Sequence, residues 1–358
     1  MDADRINMVF LELVEEIGEP YSNERRECWE DILMKTEYVP NDYMRSSLEY
    51  QKTYMECFTD YIIDLSLFIK DKDGLFIGVW PLSIKKKDNT WEFCTNQGPV
   101  LPPLFIRSVA EKEKRIIDQD CINLINEMYR RIVPSIQIKD TWMSRYLSLP
   151  ILMNNNETIW WRLCCEGGCT AICETMLYMD LTKTKEELFH SLRKKYRQYI
   201  NKGEREWKIT VHDKVTDEMW SNYRRMHAEV SGRVTRSIES WDIEKESINN
   251  GNAFYVESTD KDGEFIGGGY FEFSKDECLS AVGVYDRSQF NLPVSHVINW
   301  RAICHMQELG LKQFVFGRRF WPGDNPRPTE KELQIAYFKE GFAKDYILKL
   351  ILNNTMNT

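Results

Sequence analysis

No stretch of this chain approaches the roughly 18 consecutive apolar residues that a membrane-spanning helix needs. The first residues, Met1-Asp2-Ala3-Asp4-Arg5, are charged and lead into an amphipathic pattern, not the basic-then-apolar layout of a secretory leader. These two absences predict a soluble, cytoplasmic protein without membrane insertion. A paired C-x-x-C spacing is also missing. The ten cysteines are scattered, which in a non-secreted chain argues for reduced thiols and against a disulfide framework. Cys164, Cys165, Cys169 and Cys173 do gather around Glu166-Gly167-Gly168, but free cysteine packs as a small hydrophobe and no metal is expected there. Basic excess is lacking too. The 47 Lys and Arg stand against 56 Asp and Glu, a net charge of −9, which disfavours general binding to nucleic acid or an anionic membrane.

What is present is apolar and aromatic mass: 42% apolar residues, with 11 Trp, 17 Tyr and 17 Phe, enough for sizeable cores. At 358 residues the chain exceeds the usual size of one domain, so two are expected. Residues 5 to 18, 22 to 36 and 41 to 58 carry helical apolar spacing. The period then changes. Tyr61 to Ile69 and Leu75 to Ile84 read as a hairpin around Lys70-Asp71-Lys72-Asp73-Gly74, and Trp91 to Thr95 continues the sheet. Glu111 to Ile132 is helical and Ser135 to Ile138 a short strand. Trp142 to Met153 reads as a helix, Asn154-Asn155-Asn156 as a turn, and Thr158 to Cys165 and Cys169 to Asp180 as strands. Thr184 to Arg205 is another long predicted helix, with Leu188, Leu192, Tyr196 and Ile200 on one stripe.

The last third alternates in a fixed order. Ala253 to Ser258, Phe265 to Phe273 and Leu279 to Tyr285 have the spacing of an antiparallel meander. Val294 to Leu309 is a helix stopped by Gly310, and Gln313 to Gly317 a buried strand. Thr329 caps a helix running to Glu340, and Ala343 to Leu352 is a final strand. The N-terminal half repeats this order loosely. The prediction is an α+β protein of two domains, 1–160 and 161–358, with the last strand either completing the second or returning to the first.

Within that frame, Leu177-Tyr178-Met179-Asp180-Leu181, Glu187-Leu188 and Leu192-Arg193-Lys194-Lys195-Tyr196-Arg197-Gln198-Tyr199-Ile200-Asn201-Lys202 resemble the start of the second domain of FemABX-type aminoacyltransferases, and of the BioF2-like acetyltransferase group. Phe316-Gly317 and Phe338-Lys339-Glu340-Gly341-Phe342 are similar to that group's closing elements. The resemblance implies two tandem GNAT-like domains, each a mixed, mostly antiparallel sheet flanked by helices. Met226 to Ser237 with Ser240-Trp241 resembles uncharacterised FemAB-like proteins associated with surface-polysaccharide gene sets. The implied activity is acyl transfer, of acetyl from acetyl-CoA or another acyl-CoA, or of an amino acid from aminoacyl-tRNA. The implied acceptor is an amino-sugar nucleotide or a lipid-linked sugar. The rival reading is a non-catalytic module of the same fold that binds a sugar nucleotide or a protein. One departure bears on the donor. Where acetyl-CoA enzymes of this fold carry a glycine-rich pyrophosphate loop, Asp286 to His296 contains no glycine.

Acyl transfer needs a held donor, a nucleophile that loses a proton and stabilisation of the tetrahedral oxyanion. The resemblance gives Lys339 the last of these roles, with Phe338 beside it. His227, whose kind titrates near neutrality, is a candidate general base, and Glu229 a second. Between 193 and 205 only Glu204 opposes Arg193, Lys194, Lys195, Arg197, Lys202 and Arg205, a run suited to the phosphates of a substrate. Arg233, Arg236, Arg318 and Arg319 are further phosphate candidates, and Trp241 and Trp321 are candidates for stacking on a sugar or base.

Overall fold

The structure, a computed structural model, describes residues 2–87, 90–132, 137–138, 140–146, 157–286, 288 and 292–354. The chain divides into two compact units, Met1–Glu174 with Leu348–Thr358, and Thr175–Ile347. The first contains α1 (Asp2–Val14), β1 (Gly18–Pro20), α2 (Arg26–Lys35), α3 (Arg45–Glu56), β2 (Tyr61–Asp64), β3 (Leu67–Lys70), β4 (Phe76–Trp80), β5 (Ser83–Lys87), β6 (Thr90–Cys94), β7 (Leu104–Phe105), α4 (Glu111–Ile132), β8 (Gln137–Ile138), β9 (Asp140–Tyr146) and α5 (Glu157–Glu166). The single hairpin expected over residues 61 to 84 is instead four strands shared between two sheets, ordered β1-β3-β4-β7 and β2-β5-β6-β8. The chain bends at Leu65-Ser66, where the Asp64 carboxylate accepts the Ser66 N–H, and again at Pro81-Leu82.

Two expectations in this unit are corrected. Thr158 to Cys165 is not a strand but lies in α5, whose Trp160 and Cys164, four residues apart, are buried with α4 side chains in one core. A short unbroken apolar run fits either state, and burial on one helical face decides it. The helix expected from Trp142 is the strand β9, paired antiparallel with Lys349–Asn354 some 200 residues later. Such a pairing partner is invisible to local spacing. The rest of that expected helix and the Asn154-Asn155-Asn156 turn lie outside the described residues.

The second unit begins within β10 (Thr170–Asp180) and continues through α6 (Lys185–Ser191), α7 (Lys194–Glu206), β11 (Lys208–His212), α8 (Asp217–Ser231), α9 (Ile238–Asn249), β12 (Ala253–Thr259), β13 (Phe265–Phe273), β14 (Glu277–Tyr285), α10 (Val294–Glu308), β15 (Gln313–Arg318) and α11 (Glu330–Glu340), ending within β16 (Asp345–Asn354). Its strands lie in the order β11-β12-β13-β14-β15-β10, antiparallel except for β14 beside β15. Side chains alternate across a strand. Phe254 and Val256 therefore join one core with α6, α7, α10 and the end of α11, while Ala253 and Tyr255 join another with α8 and α9.

The long helix expected from Thr184 is broken in two. Leu192 and Arg193 are extended, although Leu188, Leu192, Tyr196 and Ile200 are buried on one stripe. The break lets the Arg193 N–H donate to the Gly341 carbonyl at 2.9 Å. The Tyr196 hydroxyl then donates to the Phe338 carbonyl at 3.0 Å, and the Arg193 guanidinium lies 4.0 Å from the Tyr337 ring. These groups cover the last turn of α11, the negative end of its dipole. The Tyr196 ring sits so close that a Cβ on Gly341 would fall 2.0 Å from it.

Gly341 has ordinary right-handed helical angles, so alanine there carries no backbone penalty and acts by steric conflict alone. Gly341→Ala is expected to destabilise the protein by about 1–3 kcal/mol, and removing the ring with Tyr196→Ala in the same chain should make the two costs strongly non-additive. Urea midpoints of the four proteins of the cycle measure this. In the first unit, buried Arg45 pairs with Asp64 at 3.0 Å beneath the Tyr21 ring. Burial pushes the Asp64 carboxyl up, but the Arg45 guanidinium and the Ser66 hydrogen bonds outweigh it and hold it below its ordinary value. A lowered aspartate stabilises above its unfolded pKa of about 3.9 and loses that contribution as pH falls through the folded value. Asp64→Asn should therefore cost about 1–3 kcal/mol at pH 7, with the difference from the parent closing below about pH 4.

Candidate active site

β14 and β15 pair only over Glu277–Leu279 against Gln313–Val315. Beyond that point β14 stays with β13 as far as Tyr285 and β15 stays with β10. The two parallel strands part within the sheet, which leaves backbone polar groups facing a gap that a ligand or water must satisfy. β15 also bulges here. Leu177 pairs with Gly317 and Tyr178 with Val315, so Phe316 is extra, and Gly317 takes a φ of 100° that a side chain would resist.

Lys339 reaches this bulge. Its Nζ lies 3.0 Å from where a Gly317 Cβ would be, so the missing side chain is what makes room for the ammonium. The helix that carries it begins as expected, with a capping box in which Thr329 accepts the Glu332 N–H and Glu332 accepts the Thr329 N–H. Burial holds the Lys339 ammonium below the ordinary lysine value. Among the described residues no carboxylate pairs with it, although Glu340 next to it is held by Arg319 at 3.3 Å. A desolvated cation beside a bulged backbone is a ready partner for a developing oxyanion.

His296, in the first turn of α10, is a residue that the sequence reading passed over as part of the glycine-free loop. Its ring centroid lies 4.3 Å from Tyr196, 5.0 Å from Tyr199, 5.2 Å from Phe338 and 5.9 Å from Phe342. Nδ1 is buried and makes no well-formed hydrogen bond. Burial pushes the imidazole down to about 4, so it is neutral at pH 7. A histidine at the start of the helix that follows the parting strand was the available signal. α10 has no side-chain cap at its N-terminus. Of the preceding loop, residues 287 and 289–291 lie outside the described residues.

The remaining sequence candidates divide by face. Phe338 packs in the ring cluster around His296. Arg193 is engaged with the end of α11. Arg197 contacts His190 at 3.1 Å, and Lys202 pairs with Glu206 at 3.5 Å on the exposed side of α7. Arg318 and Arg319 brace the turn after β15: Arg318 pairs with Asp324 at 3.4 Å, and Arg319 lies 4.2 Å from the Trp321 ring. Trp321 is partly exposed, with one face taken by that guanidinium. His227, Glu229, Arg233, Arg236 and Trp241 belong to α8, α9 and their connection, on the opposite face of the sheet from Lys339. Trp241 is buried beneath the Arg236 guanidinium at 4.4 Å. Glu229 is exposed and paired with Arg225. His227 lies against Trp241, and burial, then Arg236, lowers its pKa.

No family model matches the sequence, and no curated protein matches it. Solved structures do match. FemX superposes with a TM-score of 0.58 at 10% identity, covering 88% of this chain and 96% of that one. L-PGS of Bacillus licheniformis gives 0.58 at 12% identity, covering 96% and 95%. The C-terminal domain of a putative lysylphosphatidylglycerol synthetase from Agrobacterium fabrum gives 0.56 at 11%, covering 92% of each chain. At such identities the likeness is one of fold, and the fold of this chain is the α+β fold shared by FemX and L-PGS.

Proposed function

We propose that the protein is an acyltransferase whose reaction centre is the gap between β14 and β15, with Lys339 at its edge. The observation that carries this reading is the ammonium of Lys339, desolvated and without a carboxylate partner among the described residues, held against the Gly317 bulge. In the reaction an acceptor amine attacks the donor's carbonyl carbon, the tetrahedral oxyanion forms against the Lys339 ammonium, and collapse expels the donor's thiol or ribose hydroxyl. The amine's proton leaves with that group or to solvent. The histidines of the unit suit the base role poorly. His296, at about 4, is far from the operating pH that a general base should match, and His227 lies on the other face. Proton loss from the acceptor itself fits better.

The donor is an acyl-CoA or an aminoacyl-tRNA. Net charge −9 favours the smaller acyl-CoA, whereas the glycine-free loop and the kinship of fold with FemX and with a putative lysylphosphatidylglycerol synthetase favour the aminoacyl ester. The acceptor in this reading is an amino-sugar nucleotide or lipid-linked amino sugar of cell-surface polymer synthesis, with the exposed basic side chains of α7 toward its phosphates. A donor at 100 times its dissociation constant should add about 2.7 kcal/mol to stability, so thermal unfolding with acetyl-CoA, free CoA and aminoacyl-tRNA identifies the class.

Lys339→Ala should retain that shift and lose turnover, and retained turnover would remove Lys339 from the mechanism. Lys339→Met adds a second readout. A lysine whose folded pKa is lowered is a net cost at neutral pH, because the folded state disfavours the charge. The methionine variant is therefore expected to be inactive yet more stable by about 1 kcal/mol at pH 7. A merely structural lysine would give no such opposition between activity and stability.

A further inference from the structure

The face of the sheet opposite Lys339 holds a cavity of about 460 Å³ that the transfer reading does not use. Arg224, Arg225 and His227 of α8 line it from one side. Thr235 and Arg236 of the α8–α9 connection and Trp241 of α9 line it from the other. Three guanidiniums face one cavity in a chain of net charge −9, those of Arg224, Arg225 and Arg236, paired with Asp242, Glu229 and Glu244 respectively.

The connection is built to stay in place. Gly232 ends α8 in the left-handed conformation, Ser237 caps α9 by accepting the Ser240 N–H, and the Ser231 hydroxyl donates to the Arg233 carbonyl at 2.6 Å. Arg236 is fixed at both ends, paired with Glu244 at 2.6 Å and laid over Trp241. The Glu244 carboxyl is buried, and burial raises its pKa against the pull of Arg236. The other two arginines are loosely held: Arg224 meets Asp242 at 3.9 Å and Arg225 meets Glu229 at 3.1 Å between exposed side chains, pairs that cost little to break. The Thr235 hydroxyl is buried without a partner, an omission that a bound acceptor oxygen corrects. The first turn of α9, at Ile238, adds the positive end of a helix dipole. At the rim, Val234 is 81% and Ile238 59% exposed.

We propose that this cavity is a second binding site, for a phosphate-bearing ligand whose phosphate lies among Arg224, Arg225, Arg236 and His227 and whose apolar part rests on Val234 and Ile238. Phosphate suits the site better than a carboxylate, because it offers more acceptor oxygens and more charge to the forked guanidiniums. The same chemistry is presented by a soluble phosphate ester and by a phospholipid headgroup. The site stands on its own geometry and does not depend on the transfer reaction.

Titration calorimetry with inorganic phosphate and with glycerol 3-phosphate is the test, alongside co-sedimentation with vesicles of phosphatidylcholine carrying about 30 mol% phosphatidylglycerol. Saturable binding to one site is expected, weakened about tenfold or more in Arg224→Gln/Arg225→Gln and unchanged in Lys339→Met. Both arginines are on the outer side of α8, so the double variant should keep the parent's unfolding temperature, and Ala228→Phe, which fills the cavity, provides an independent block. Loss of vesicle binding in Val234→Asp/Ile238→Asp with glycerol 3-phosphate binding intact assigns the ligand to a headgroup; vesicle binding no better than to pure phosphatidylcholine assigns it to a soluble ester. Absence of saturable binding to every probe overturns the proposal, and so does binding that both the arginine pair and Ala228→Phe leave unchanged.

Discussion

The seating of the Tyr196 ring on Gly341 is the contact on which the Lys339 site depends. The ring occupies the volume that any side chain at 341 would need, and its hydroxyl takes the carbonyl of Phe338, one residue before the lysine. With the Arg193 N–H also bonded to the Gly341 carbonyl, the final turn of α11 is tied to α7 by two hydrogen bonds and a ring contact. The Lys339 side chain is then directed at Gly317, the position in β15 where a bulge and a positive φ have removed competing atoms. Two glycines, one at each end of the lysine's reach, thus determine where an otherwise flexible four-carbon stem ends. Holding a desolvated ammonium there costs stability, and the aromatic cluster of Tyr196, His296, Phe338 and Phe342 beside it supplies the packing that offsets it.

The same geometry explains why much of the positive charge that marks the sequence is not available to a substrate. Arg193 covers a helix end, and Arg318 and Arg319 tie down the turn after β15 through Asp324, Glu340 and neighbouring rings. Arginine suits such positions because its planar fork packs on aromatic faces while it bonds sideways. A count of basic residues along a helix therefore overestimates the charge presented to a ligand. On α7 the exposed cations are those whose partners are surface side chains, as with Lys202 and Glu206, and these pairs are readily exchanged for phosphate.

Where local chemistry decides structure, the sequence was legible. The Thr329 capping box, the Gly310 stop after α10 and the span of β13 follow from side chains within a few residues of one another. Lys339 and Phe338 were singled out through a short motif; the Lys339 ammonium lies at the Gly317 bulge, and Phe338 packs among the rings around His296. The failures have one cause, which is that the deciding partner is distant. β9 is a strand because Lys349–Asn354 pairs with it. α5 is a helix because α4 receives its Trp160 face. The break between α6 and α7 exists because Gly341 offers Arg193 a carbonyl. His296 is distinguished by rings drawn from α7 and α11, and nothing in its own neighbourhood announces them. That His227 and Lys339 lie with different cores was likewise not legible, since which face of a sheet a connection covers is fixed by the whole strand order.

That last point bears on how the second unit can hold two sites. In β12 the residues Phe254 and Val256 face the α10 side, and Ala253 and Tyr255 face the α8–α9 side. The pleat assigns every residue to one face, and a one-residue slip would exchange the two cores entirely. Register is held by the glycine-rich middle of β13, where Tyr255 packs over Gly268 at distances no side chain there would allow. The sheet thus separates the aromatic cluster around His296 from the cavity lined by Arg236. Between the two faces, β12 and β13 are hydrogen-bonded on both edges, whereas β14 loses β15 beyond Leu279. Strands paired on both sides deform little, so through β12 and β13 a ligand on one face is expected to have little influence on the other.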